Sequence, residues 1–250
     1  MYKSAELNIE GKIIRGVVRT PEGTGPFPTV CFYHGFSVDK VGLMRLHELF
    51  ARACVDHGMA CVRFDFYGCG ESDGDFSEMR FSEEVKQAEA IYRWTSEQSF
   101  CDKEKLFAAG HSLGGAITSV IAPKLQPKAI ILWAPGNTAY YDISSRTGAI
   151  PGEYKDYYDI GGLAVAGEFL SEIRRIDIVG IAAKYQGKVL IVHGDQDEKV
   201  PVASIGPYLD IYKDQAECVI IRGSNHQFSS LLWRKQVYEE SLRFLKGQID

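Results

Sequence analysis

Residues 106–122 decide the reading: Leu106-Phe107-Ala108-Ala109-Gly110-His111-Ser112-Leu113-Gly114-Gly115-Ala116-Ile117-Thr118-Ser119-Val120-Ile121-Ala122. The apolar stretch 106–109 reads as a buried strand, and the small and apolar run after Ser112 as a helix packed against it. Between them stands Gly110-x-Ser112-x-Gly114. By itself this five-residue pattern is weakly specific; a strand before it and a helix after it give it meaning. A hydroxyl presented at the corner of a tight strand-to-helix turn forces strained backbone angles. Side chains two residues to either side would collide, which accounts for glycine at both places. The turn also leaves Ser112 at a helix N-terminus, where unpaired N–H groups and the helix dipole favour negative charge.

Outward from that turn, strand-like and helix-like segments alternate. Towards the N-terminus lie a helix over 81–96, a strand at Ala60–Phe64 followed by the glycine-rich loop 65–74, a helix carrying Leu43, Leu46, Leu49, Phe50, Ala53 and Cys54, and a strand at Thr29–Tyr33. Segments 4–9 and 12–19, flanking Glu10-Gly11, read as an antiparallel hairpin at one edge. Towards the C-terminus come strands at Ala129–Trp133, Val189–Val192 and Glu217–Ile221, with helices over 202–212 and 231–246. This alternation predicts an α/β fold, a mostly parallel sheet with helices on both faces, in one domain over 1–250. Residues 136–186 break the rhythm and hold Tyr140, Tyr141, Tyr154, Tyr157, Tyr158 and Tyr185 of the chain's 13 tyrosines. So long a connection should carry function or a small structure of its own.

A serine hydroxyl needs a neighbouring base, and six histidines are available. His47 and His57 lie in or after the first helix, and His34 and His111 are too close to the turns they flank. His193 ends a strand and is expected to pack under the site. His226 remains, in the loop between the last strand and the last helix, at the carboxyl edge where open α/β sheets keep their sites. Its orienting carboxylate should follow the preceding strand, within His193-Gly194-Asp195-Gln196-Asp197-Glu198. Asp197 is preferred, because the loop must leave the strand before an acid can turn back; Asp195 is the second candidate, more suited to bracing the turn. The order Ser112, Asp197, His226 matches one of the three common chain orders for such a triad. Acyl transfer also needs two fixed N–H donors for the oxyanion, each contributing about 3 kcal/mol. Leu113, directly after the nucleophile, and Phe36, in the turn His34-Gly35-Phe36, are placed to supply them.

The chain has 250 residues, 45% hydrophobic and 24% charged, with net charge −5. A mild acidic excess without a dense Lys/Arg cluster argues against nucleic acid as a partner. No apolar run approaches the roughly 18 residues of a membrane span, and Met1–Glu6 carries no apolar signal core, so a cytoplasmic location away from membranes is expected. The six cysteines form no C-x-x-C pair and are expected to be idle thiols.

The His34–Phe36 turn, the loop from Asp65 to Gly74, Gly110–Gly115, the segment from His193 to Pro201 and His226 together resemble the α/β-hydrolase superfamily over essentially the whole chain. In size, in Ala134-Pro135 after the sixth strand and in the place of the insert, the chain is most similar to the small bacterial cinnamoyl and feruloyl esterases; related serine aminopeptidases and monoacylglycerol lipases share much of the pattern. The resemblance implies hydrolysis of a small-molecule ester through an acyl-enzyme, with residues 136–186 as a lid and with no metal or cofactor. By position Asp142 matches the aspartate that holds the phenolic end of the substrate in those esterases, and Tyr140 and Tyr141 are further substrate-binding candidates. Two places depart from the family: Leu113 stands where glutamine is usual, and Gly161-Gly162-Leu163-Ala164 lacks the aromatic pair that follows Gly-Gly. An aminopeptidase would need an anionic site for the substrate's amino terminus, for which Glu153 or Glu168 is available. An exposed lid could support a homodimer. A non-catalytic binding protein on the same fold is the remaining alternative, against which the intact Ser/Asp/His set speaks.

Overall fold

The computed structural model describes residues 1–149 and 156–249. Strands β1 (Tyr2–Ile9) and β2 (Lys12–Arg19) form the N-terminal antiparallel hairpin. They turn at Glu10-Gly11, both at positive φ (52° and 87°), as a two-residue hairpin loop requires. There follow β3 (Phe27–Tyr33), α1 (Leu46–Asp56), β4 (Ala60–Phe64), α2 (Phe81–Ser96), β5 (Cys101–His111), α3 (Leu113–Leu125) and β6 (Ala129–Trp133). The insert contributes α4 (Ala139–Arg146), β7 (Gly148–Ala149), β8 (Tyr157–Ile160), β9 (Leu163–Ala166), α5 (Gly167–Arg175) and α6 (Ile178–Ala182). The chain closes with β10 (Lys188–Gly194), α7 (Gly206–Tyr212), β11 (Ala216–Ile221) and α8 (Leu231–Lys246).

The main sheet has eight strands in the order β1-β2-β4-β3-β5-β6-β10-β11. From β4 to β11 every neighbouring pair is parallel. Alternation along each central strand divides the core in two. Cys31, Tyr33, Leu106, Ala108, Ile130, Leu132, Val189 and Ile191 face one layer, under α2, α3, α6 and α7. Val30, Phe32, Phe107, Ala109, Ile131, Trp133, Leu190 and Val192 face the other, under α1 and α8. With both faces covered, these strands read as continuous apolar runs. The fold is that of an α/β hydrolase.

Some element boundaries differ from the sequence reading. The first helix starts at Leu46, because Met44 and Arg45 take φ of 50° and 64° and break the turn that Leu43 begins. The helix expected over 202–212 is divided: a 3-10 turn over Val202–Ile205 precedes α7, whose first turn holds Pro207, a residue suited to starting a helix and unable to continue one. The insert has a small sheet of its own, β7-β8-β9. Gly161 and Gly162, at φ of 66° and 91°, make its two-residue turn. The cysteines are free thiols, with Cys218 exposed and the other five buried.

Candidate active site

Ser112 follows β5, Phe36 follows β3, Asp197 follows β10 and His226 follows β11, so all four leave the carboxyl ends of parallel strands. Ser112 sits at φ 57° and ψ −121°, the strained corner that the glycine spacing predicts. A Cβ on Gly110 would lie 2.1 Å from the carbonyl oxygen of Gly114, and one on Gly114 would lie 2.2 Å from that of Tyr33. The corner is held from the next strand, since the Ser112 N–H donates to the Trp133 carbonyl at 2.9 Å and the Gly136 N–H donates to the Ser112 carbonyl at 2.9 Å.

His226 Nε2 lies 2.9 Å from Ser112 Oγ, and its Nδ1 lies 2.7 Å from Asp197 Oδ2. The other carboxylate oxygen of Asp197 accepts the N–H groups of Lys199 at 2.9 Å and Val200 at 2.8 Å. His193, buried beneath, brings Nε2 within 3.3 Å of Asp197 and donates to the Val200 carbonyl at 2.8 Å. Burial would raise the Asp197 carboxyl, but the hydrogen bonds from His193 and His226, the charge of His226 and the Val200 N–H outweigh it and hold the group well below the usual carboxylate range. Asp197 is therefore an anion aimed at the imidazole. Asp195 has the bracing role: its Oδ1 accepts the Gly223 N–H at 2.6 Å, tying the loop that carries His226 to the end of β10.

A second histidine fixes that loop. His111 Nε2 lies 2.9 Å from the backbone carbonyl of His226, so it carries a proton, and its Nδ1 faces His47 Nε2 at 3.3 Å. Burial first, and then the charge of His226, pushes the basicity of His111 down to about 3. His111 is thus a neutral spacer under His226. Nothing in the sequence pattern marks this contact, which spans 115 positions of chain.

Gly35 lets the turn after β3 approach Ser112, for a Cβ there would meet the His111 carbonyl oxygen and Ser112 Cβ at 3.0 Å. Phe36 and Leu113 line the same cavity as Ser112 and His226. The Phe36 ring stacks on Phe169 of α5 and meets Phe76 edge-on, at centroid distances of 5.4 and 5.3 Å, anchoring the insert over the turn.

The cavity above Ser112 is small, about 210 Å³. From α4 it is lined by Ala139, Asp142, Ile143 and Arg146, the i, i+3, i+4 and i+7 face of one helix. That periodicity puts Asp142 at the cavity and leaves out Tyr140 and Tyr141, which do not line it. Tyr140 packs on the core beneath Arg174, whose guanidinium lies 5.4 Å from its ring, and Tyr141 is 73% exposed. Arg146, unremarked in the sequence, joins the lining and pairs with Asp142 at 2.5 Å; Lys199 adds a second cation. The i+4 spacing of Asp142 and Arg146 is the signal that points to the pair. Glu168 is not among the lining residues and pairs with Arg80 at 2.8 Å. Glu153 and Tyr154 lie outside the described residues. Among the described residues no group of His, Cys, Asp and Glu side chains is arranged to hold a metal ion, and no helix is long and apolar enough to cross a membrane.

The family model described as X-Pro dipeptidyl-peptidase (S15 family) matches residues 10–166, more than half of the chain. The chain belongs to this family. The matched stretch includes Ser112 and stops before Asp197 and His226. Among curated proteins, an uncharacterized 31.7 kDa protein in the traX-finO intergenic region of Escherichia coli is 30% identical over 114 residues, 45% of this chain and 39% of that protein. The match thus spans well under half the length of that relative. Among solved structures, Est1E from Butyrivibrio proteoclasticus with ferulic acid bound superposes with a TM-score of 0.87 at 24% identity, covering 98% of this chain and 99% of that one. The esterase domain of a Rhodothermus marinus protein superposes at 0.76 with 20% identity, covering 98% and 97%. These likenesses show the fold. Family and fold agree on the α/β-hydrolase architecture.

Proposed function

We propose that this family member is a serine carboxylesterase, with Ser112 as nucleophile, His226 as general base and acid, and Asp197 as its orienting carboxylate. The observation that carries the reading is the continuous pair of contacts from Ser112 Oγ through the His226 ring to Asp197, 2.9 and 2.7 Å. In the first half-reaction His226 Nε2 takes the hydroxyl proton as Oγ attacks the ester carbonyl. The oxyanion that forms lies between the N–H groups of Leu113 and Phe36. Collapse breaks the bond to the alcohol, which leaves with the proton from His226. Water then repeats the sequence on the acyl-enzyme and releases the acid. Asp197 keeps Nδ1 protonated and stabilises the imidazolium without taking its proton.

A small or aromatic acyl group suits the cavity, and a cinnamoyl or feruloyl ester is the aromatic candidate, in line with the ferulic acid bound to the Butyrivibrio relative. Residues 136–186 would act as the lid, with Asp142 and Arg146 on its cavity face. The family name favours a second reading, a peptidase that holds a free amino terminus. Against it, the cavity's carboxylate at Asp142 is already paired with Arg146, and Lys199 adds further positive charge that an α-ammonium would oppose.

Ser112→Ala should lower p-nitrophenyl acetate turnover by at least about 10³-fold, and retained turnover would exclude Ser112 as nucleophile. Methyl ferulate set against an Xaa-Pro nitroanilide separates the two readings by which of them is cleaved.

A further inference from the structure

Away from the Ser112 cavity, four arginines converge on one carboxylate. Glu48 of α1 is buried, with 6% of its surface exposed. It accepts hydrogen bonds from Arg19 at the end of β2, from Arg63 within β4 and, at 2.8 Å, from Arg52 one turn further along α1. Arg45 stands 3.8 Å away. Lys40 lies beside them with its ammonium 2.5 Å from the buried Asp65. These side chains, with Tyr2, line a cavity of about 350 Å³, within the size range of small-ligand sites.

Two independent features mark this cavity as more than a structural ion cluster. The first is charge. Four guanidinium groups surround a single carboxylate, in a chain whose net charge is −5. Burial would raise the Glu48 carboxyl, but the hydrogen bonds of Arg19 and Arg52 and the charges of Arg63 and Arg19 bring it down to about 2. Glu48 is ionised throughout the working range, so the positive surplus persists with its one acid fully used. The second is an orphan donor. Arg63 is 2% exposed; its Nη1 donates to the Lys40 carbonyl at 2.6 Å and an Nη2 hydrogen goes to Glu48, but its buried Nε–H has no partner among the described residues. Crowded like charges and an unpaired buried donor both oppose folding unless something answers them. An anion with several acceptor oxygens answers the crowded charge at the accessible edges of Arg19, Arg45 and Arg52, and a phosphate matches the planar fork of arginine; the enclosed Arg63 Nε–H would sense it through its own guanidinium rather than by direct contact.

The geometry points to a phosphate-binding site in this cavity, formed by Arg19, Arg45, Arg52 and Arg63, for a phosphate group carried by a small metabolite or by a lipid headgroup. Tyr2, whose ring lies 4.8 Å from the Arg19 guanidinium, offers a flat apolar surface beside it. The site is independent of the hydrolytic reading.

The test is titration of the full chain with inorganic pyrophosphate at fixed ionic strength, followed by calorimetry and by the NMR signals of the arginine Nε–H groups. Saturable 1:1 binding is expected, with the Arg63 Nε–H signal among those that move. In the Arg45→Gln/Arg52→Gln variant the affinity should fall about ten-fold or more, while Arg243→Gln on α8 leaves it unchanged. Arg45→Gln alone serves if the double variant does not fold: its side chain is 55% exposed and its ion pair is the 3.8 Å contact with Glu48. It should weaken binding about three-fold. Phosphatidylcholine vesicles with and without phosphatidic acid separate the two sources. Co-sedimentation with the phosphatidic acid vesicles that the double variant loses assigns a lipid headgroup; pyrophosphate binding without co-sedimentation assigns a free metabolite. No saturation with either probe, or equal binding by wild type and the arginine variants, overturns the site.

Discussion

Glu84 shows how one buried residue can set the pH dependence of the whole chain. It sits on the core face of α2, 2% exposed, with Oε2 lacking a partner among the described residues. Burial raises its pKa from the ordinary 4.5 to about 8. Between those values the unfolded chain has released a proton that the folded chain retains, so stability falls as pH rises from 4.5 and the loss is complete above about 8. Glu84→Gln removes the titration. It should stabilise the protein little at pH 5 and by up to roughly 3 kcal/mol at pH 7, read from urea unfolding at both. A gain of the same size at every pH would contradict this account. His111 acts with the opposite slope. Its folded pKa of about 3 against the ordinary 6.5 means that acid protonates the unfolded chain first, so stability falls as pH drops through that window. The His111→Gln variant, which keeps a donor for the His226 carbonyl, should therefore lose less stability than wild type between pH 6.5 and 5, a difference of about 2 kcal/mol.

Among the elements, the β5–α3 turn carries the tightest constraint. A methyl group at Gly114 would stand 2.2 Å from the backbone oxygen of Tyr33, and neither strand nor helix can yield without moving Ser112. Gly114→Ala should cost about 3 kcal/mol. At Gly206, the first residue of α7, nothing lies within 4 Å of an added Cβ, and the same substitution there should be neutral or stabilising by up to about 1 kcal/mol. Equal unfolding midpoints for the two variants would refute the steric account of the turn. This element was legible in the sequence because its requirements are local: small residues at fixed offsets, an apolar strand before and a helix after. The parallel strands were legible for the same reason, as apolar runs bounded by turns. The insert was not. Its hairpin signal, Gly161-Gly162, is visible, but the flanking strands Tyr157–Ile160 and Leu163–Ala166 are short and largely half-exposed, and a weak alternation gives pattern reasoning little to hold. Tyr140 and Tyr141 stand off the cavity because neighbours in the chain occupy different faces of a helix, and only the i, i+3, i+4, i+7 face of α4 lines it. The contacts of His111 with His226 and of Arg63 with Glu48 depend on tertiary packing that no spacing rule encodes.

For the molecule as a whole, the sheet brings four separate loops to one edge, and α5 of the insert packs on one of them through Phe169 on Phe36. A cavity of only about 210 Å³ limits what fits beside Ser112. Acetyl and butyryl p-nitrophenyl esters should therefore be cleaved with kcat/KM at least about ten-fold above dodecanoyl esters; a preference for long chains would mean that the insert opens far more widely. The central claim is that one hydroxyl at this edge is activated by one imidazole. Labelling of the native chain with a fluorophosphonate, followed by peptide mapping, tests it most directly. The expected result is a single adduct on Ser112 that forms in wild type and is lost in His226→Ala. A folded wild-type chain that takes no label, or takes it on another residue, would contradict the account.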